Sequence, residues 1–363
     1  MNWSWTIFRY LAIRFLVGVG IVYGTFLLLA FSIDLVELTN RTAGHNVSTP
    51  VIIGMALLQL PDLGQKMMPF AVLLGGVLAF AMLSRNQELV AVRAAGMSAW
   101  GFLAPPLTVA FSLGVVWVLV FTPVSARMLG QFSALEAKYI KGEASQLSVA
   151  RNGLWLRQGD ETQQSDINAL HVADGGVHLE DVVVFLYGPN DHFNGRVDAK
   201  TAELSSSTWI LRDAWVSGAE GSPVHHDEYR LPTTLTPSHI QESFAPPDTL
   251  SFWELPAFIR AAQSAGFSAI RYELYLYSLL AMPALFAAMV FMAASFSVRL
   301  GRSGGLPRVI LVSAVAGFVV YFFSEFARAL GQTNILPVAL AATAPATASI
   351  LIGMTLVFNQ EDG

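Results

Sequence analysis

The chain contains no cysteine. Disulfides and thiolate metal sites are therefore excluded, and the redox compartment is left open. Charge is scarce: Asp, Glu, Lys and Arg make up 13% of the 363 residues, while apolar residues make up 54%. That balance suits a bilayer protein better than a soluble one. No Gly-rich loop ends in Gly-Lys-Ser/Thr, so the chain is not itself a P-loop ATPase. A His-Glu-x-x-His zinc motif is also missing. Ser, Asp and His occur as in any domain of this size, with no strand–turn–helix context to assemble them into a triad.

Present instead are long uncharged apolar runs. A run of about 18 residues or more can span a bilayer. Phe15 to Ile33, Met67 to Ser84, Ala94 to Ala126 and Leu274 to Val298 satisfy this, Val309 to Ser324 does so by continuing past Glu325, and Ala329 to Gln360 supplies the last. Six transmembrane helices are expected. The first run is long, and Asp34 and Glu37 follow it rather than a small-residue cleavage site, so it reads as a retained anchor.

Charge is also unevenly placed. Of the 47 charged residues, 30 lie between Arg127 and Glu273, with 19 acidic and 11 basic. This soluble stretch divides the apolar runs into three and three. The short connections on one side hold Arg9, Arg14, Arg85, Arg93, Arg299, Arg302 and Arg308, while those on the other hold only Arg41 and Arg328. The positive-inside bias puts the first group in the cytoplasm. Both termini are then cytoplasmic and the central domain lies outside, since long domains translocate whatever their charge.

The central domain reads as β. Trp155-Leu-Arg, Val182 to Tyr187 and Trp209 to Val216 are rich in branched and aromatic residues. Turn signals separate them at Gly159-Asp160, Gly175-Gly176, Gly188-Pro189-Asn190 and Gly221-Ser222-Pro223. Short strands at even spacing favour a sandwich or jelly roll. Arg127 to Glu143 has helical spacing and carries helix three out of the membrane. Leu250 to Ala265 places Phe252, Leu255, Phe258 and Ile259 three and four apart, the pattern of an amphipathic helix leading back. Expected domains are 1–126, 127–265 and 266–363. His225 and His226 are adjacent, which on a strand points them to opposite faces, so they read as surface residues rather than two ligands of one metal.

Two features can carry function. The first is Arg85-Asn-Gln-Glu-Leu-Val-Ala-Val-Arg-Ala-Ala-Gly-Met97, a short helix ending at Gly96 with charged ends and an apolar strip. Such a helix either presses into a partner's groove or rests on lipid. The second is a set of charges at the span boundaries: Arg41, the pair Asp62 and Lys66, and the pair Glu325 and Arg328. They serve either as interfacial anchors or as substrate contacts.

Pro69-Phe-Ala-Val-Leu-Leu-Gly-Gly-Val-Leu-Ala-Phe-Ala-Met-Leu83, with Glu88-Leu-Val and Ala95-Gly96 after it, resembles the signature of the LptF/LptG permeases. Arg9-Tyr10, Asn152-Gly-Leu-Trp155 and Arg271-Tyr272 agree with it. The likeness covers the whole length and leans to the LptG side. It implies a membrane α-helical protein of six spans with an inserted all-β periplasmic domain, β-jellyroll-like, in the inner membrane of a Gram-negative bacterium. It also implies a non-catalytic subunit of an ABC transporter that extracts lipopolysaccharide from the outer leaflet and passes it to a periplasmic bridge.

The partners implied are the sister permease LptF, a dimer of the ATPase LptB, which would hold ATP and Mg, and LptC and LptA. Nucleic acid is not among them, and no cofactor is expected in this chain. Glu88, Leu89, Val92 and Arg93 match the family's coupling helix and would meet the ATPase. For substrate the resemblance implies positive charge at the outer end of span one and early in the inserted segment. Here Asp34 reverses one such charge and only Arg41 keeps it, with Lys66 and Arg127 as further candidates. Either the cognate lipid A has fewer phosphates or the sister subunit supplies the charge. The LptF subunit itself, a generic lipid or lipoprotein permease and an envelope scaffold are the other readings.

Overall fold

The computed structural model describes residues 5–43, 47–88, 98–141, 147–150, 153–159, 164–173, 177–188, 192–205, 208–218, 222–233, 246–264, 268–300 and 305–361. They form two compact units, one of residues 1–140 with 273–363 and one of residues 141–272.

The first unit is helical. Its elements are α1 (Trp5–Arg41), α2 (Thr49–Arg85), α3 (Ala99–Val116) and α4 (Thr122–Glu136), then α6 (Ile270–Leu300), α7 (Gly305–Gln332) and α8 (Val338–Glu361). Trp117–Phe121 is a π-turn joining α3 to α4. Pro123 explains it, because a proline one residue into α4 has no N–H to continue the α ladder. The Thr122 hydroxyl donates to the Trp117 carbonyl at 3.2 Å, five residues back. A second π-turn, Ala137–Lys141, extends the rod to the edge of the inserted unit.

Six of these helical rods are long and apolar enough to cross a membrane. Several outrun their apolar windows. The 37 residues of α1 span ~55 Å at about 1.5 Å per residue, well beyond a hydrocarbon core of about 30 Å. The last rod is shorter than the sequence suggests. Ala329 to Gln332 belong to α7, and a break follows at 333–337. Asn334 takes a left-handed φ of 60° there, and Pro337 precedes the next helix.

The core is built around α2 and α6. Phe15 of α1, Phe80 of α2, Phe102 of α3 and Phe286 of α6 are all buried in one cluster. Outward faces of α1 and α7 stay apolar and exposed, for example Leu28, Ile33, Leu311, Phe322 and Phe326. Such faces fit lipid or another apolar partner. A second, smaller core lies at the other end of α1, where Leu38 meets Met55, Ala56, Leu129 and Phe132.

Two glycines bring α1 and α2 together. A Cβ on Gly18 would lie 2.5 Å from the Gly75 carbonyl oxygen, and one on Gly75 would run into the Val19 backbone. Small residues at a crossing allow this backbone approach.

The inserted unit holds one antiparallel sheet of seven strands. These are β1 (Leu147–Ala150), β2 (Gly153–Gly159), β3 (Gln164–Ala173), β4 (His178–Gly188), β5 (His192–Ser205), β6 (Thr208–Gly218) and β7 (Val224–Pro232). The expected all-β insert is therefore present, and its strands pair in chain order as a meander. Alternation buries Leu156, Ile167, Val184, Val197, Trp209 and Leu211 on one face. Asp181 and Asp213 have left-handed φ of 53° and 54°, at points where the ladder skips a residue.

The sheet curls over that face. Trp209 Nε1 on β6 donates to Gln158 Oε1 on β2 at 3.3 Å, and Gln158 Nε2 donates to the Pro232 carbonyl at the end of β7, 3.5 Å away. Trp209→Ala should therefore cost about 3–5 kcal/mol, chiefly through the cavity it opens, while Gln158 Oε1 keeps the Thr233 hydroxyl as a donor. Limited proteolysis of the full-length protein would show it as faster cleavage within residues 147–232.

The amphipathic helix after the sheet, α5 (Leu255–Ser264), starts later than its apolar spacing suggests. The Glu254 carboxylate accepts the Ser251 N–H at 3.0 Å and its hydroxyl at 2.7 Å, which caps the chain just before Leu255. Leu255, Ile259 and Ala262 form its buried face.

Candidate functional site

Two places in the helical unit hold the residues expected to act. One is the end of the bundle at Glu88, and the other is the far part of the α1–α2 pair, where Asp34 and Arg41 lie toward the end of α1 while Lys66 lies further back along α2, past Gly64, which packs on Tyr23 and Leu27.

At the first, α2 ends at Arg85 and the chain reverses. Gln87 adopts a left-handed φ of 58°, with its N–H bonded to the Ser84 carbonyl at 3.1 Å. The reversal turns Glu88 back onto α1. Tyr10 Oη donates to Glu88 Oε2 at 2.8 Å, and Asn86 Nδ2 donates to Glu88 Oε1 at 3.2 Å. Arg14 Nε donates to the same tyrosine oxygen at 3.0 Å, and its guanidinium lies 5.1 Å from the ring centroid. Leu89, Val92 and Arg93, with the rest of the expected short helix up to Met97, lie outside the described residues.

Around the second, charges come in neutralised sets. Arg41 Nη1 lies 3.3 Å from Glu136 Oε1 of α4, and its Nε lies 3.9 Å from Glu37. Lys66 Nζ lies 2.7 Å from Asp62 Oδ2. Asp62 is buried, whereas 59% of the Lys66 side chain is exposed. Next to it, Gln65 Nε2 donates to Tyr275 Oη of α6 at 3.0 Å. Asp34 is 6% exposed, and its Oδ2 has no hydrogen-bond partner among the described residues. Arg127 is exposed on α4.

Arg41 is thus brought to α4 through Glu136, a residue that sequence reasoning passed over. The missed signal was the helical continuation 127–143, which carries an acid toward the end of α1. Tyr10 was noted only as part of a motif, and nothing in the sequence pointed it at Glu88. The contact depends on a backbone reversal that no local pattern announces.

In the inserted sheet, His225 Nε2 lies 2.8 Å from Asp213 Oδ1. Among the described residues no group of three or more His, Cys, Asp or Glu is arranged to hold a metal.

The sequence profile of one family, described as lipopolysaccharide export system permease LptF/LptG, matches residues 9–358. The chain belongs to that family. Within it, the chain is similar to the lipopolysaccharide export system permease protein LptG of Escherichia coli strain K12, 24% identical over 334 residues, covering 88% of this chain and 89% of that protein. It is also similar to the LptG protein of Haemophilus influenzae, 25% identical over 314 residues, covering 84% and 85% respectively. This family member is a multi-pass membrane permease with a β-sheet domain set between its third and fourth apolar helical rods.

Proposed function

We propose that the chain is the LptG-type permease subunit of an ABC transporter that extracts lipopolysaccharide from the outer leaflet of the inner membrane. The observation that carries this is the family match across residues 9–358, with both named relatives being LptG proteins. Arginine placement supports cytoplasmic termini and a periplasmic sheet. With no phosphate loop in the sequence, ATP is hydrolysed by a partner pair of the LptB type. Residues 88–97 dock on that pair as the coupling segment. The sister permease is of the LptF type. LptC and LptA continue the path from the inserted sheet, whose curled apolar face suits acyl chains.

The charge pattern refines the substrate. A phosphate arriving at Arg41 or Lys66 has to compete with carboxylates already paired there. The cognate lipid therefore presents few phosphates to this subunit, or the sister subunit meets them. Arg41→Glu should weaken lipopolysaccharide stimulation of the complex's ATPase roughly tenfold, the loss of one charge-assisted contact of about 1.5 kcal/mol. Unchanged stimulation would remove Arg41 as a contact.

Affinity purification in mild detergent tests the whole reading. A second permease, a soluble ATPase and bound lipid A are expected in one sample. Recovery of the chain alone would count against it.

A further inference from the structure

The contact between Tyr10 and Glu88 joins residues 78 positions apart, and it ties the chain just past α2 to a different helix. Three observations make it more than a surface hydrogen bond.

The first is the backbone. Gln87 holds a left-handed conformation that glycine and asparagine adopt far more readily. The Gln87 N–H bond to the Ser84 carbonyl closes this turn, and the turn brings Glu88 within reach of α1.

The second is the lack of packing. A cavity of about 220 Å³ opens beside the contact, walled by Ile7, Leu11, Leu83 and Phe102. Among the described residues, the side of Glu88 that faces this cavity is unpacked. Among the described residues, its carboxylate is held by two hydrogen bonds, from Tyr10 and Asn86. Arg14 strengthens the first of these, because a cation donating to a phenol oxygen makes its hydroxyl a better donor.

The third is the choice of helix. α2 contains Pro61 and Pro69, and α6 contains Pro283. Each removes a rung of the helical ladder and lets the rod bend. No proline interrupts α1, which runs unbroken from Trp5 to Arg41. A group fixed to Tyr10 is therefore fixed to a long rod that no proline interrupts.

We propose that Tyr10 is a positioning residue that latches Glu88 to α1, so that movement of the coupling segment drives α1 rather than α2. This rests on the reading that residues 88–97 dock on an ATPase. A push delivered at Glu88 then travels along one rigid helix to Asp34 and Arg41 at its far end. Without the latch, the push would be taken up by the turn at Gln87 and by α2, which lacks a ladder hydrogen bond at each of Pro61 and Pro69.

The test uses Tyr10→Phe, which keeps the ring and removes only the hydroxyl. In the full complex in proteoliposomes, ATP hydrolysis is expected to stay within about twofold of wild type, and the ATPase should co-purify in normal amount. Lipid released per ATP is expected to fall at least fivefold. An unchanged ratio would overturn the proposal, as would a parallel loss of hydrolysis and release.

A second measurement needs no partner. The absence of cysteine allows spin labels at Arg9→Cys on α1 and Ala91→Cys in the segment beyond Glu88, in the chain alone. The distance distribution should be narrow with Tyr10 and broad with Tyr10→Phe, and equal widths would overturn the latch. Failure to recover any ATPase with the wild-type chain would instead count against the functional reading, while this distance measurement would still decide the latch.

Discussion

Gly75→Leu is expected to leave almost no well-folded protein. The added Cβ alone would run into the backbone of Val19, and three further carbons would follow it. Overpacking costs about 1–3 kcal/mol where neighbours can rotate aside. Backbone cannot rotate aside, so α1 and α2 would have to part along a crossing that anchors the central core. Phe15 and Phe80 belong to that same core and would be unpacked with it. Gly20→Leu provides the opposite case two residues beyond Gly18, because nothing lies within 4 Å of a Cβ there. Size-exclusion chromatography of the two variants in detergent should show aggregate for Gly75→Leu and a wild-type peak for Gly20→Leu. Matching profiles would mean that the helices do not cross at Gly75.

Glu88→Arg should abolish recovery of the soluble ATPase. The substitution reverses charge at the proposed contact and also takes away the acceptor for the Tyr10 hydroxyl and the Asn86 amide. It further brings a second cation toward Arg14, which already donates to Tyr10. Breaking one partner of a hydrogen-bonded charge contact costs roughly 3 kcal/mol, on the order of a hundredfold in affinity. Co-purification in mild detergent measures this directly. Normal ATPase recovery with Glu88→Arg would favour a scaffold over a transporter.

Much of the fold was legible because its physics is local. Uncharged runs such as Phe15 to Ile33 mark spans through length and hydropathy alone. Strands such as Val182 to Tyr187 show through branched and aromatic content between turn residues. The parts that were not legible depend on partners far along the chain. α2 reaches back to Thr49 because Asp62 pairs with Lys66 and Gln65 bonds to Tyr275, so polar residues sit comfortably within a long helix that a hydropathy window ends early. β5 is weakly patterned because its inward positions include the small residues Gly195, Ala199 and Ala202, which contribute little hydropathy.

The candidate site divides in the same way. Residue types at Glu88 and Arg41 drew attention to them, since charge is scarce in this chain. Their neighbours did not, because Tyr10 and Glu136 come from elsewhere in the chain. Asp34 stood out as a charge reversal, and its burial could not be read from the run around it.

The chain-order pairing of the sheet has a consequence for how this protein is made. Every strand joins the one made just before it, so each closure is a short loop with a small entropic cost. Contacts of such low sequence separation form quickly. All seven strands lie between residues 147 and 232, ahead of the last three apolar helices. At a synthesis rate of about 5–20 residues per second, the ribosome needs several seconds more to complete those helices. The sheet can therefore finish folding while the second half of the bundle is still being made.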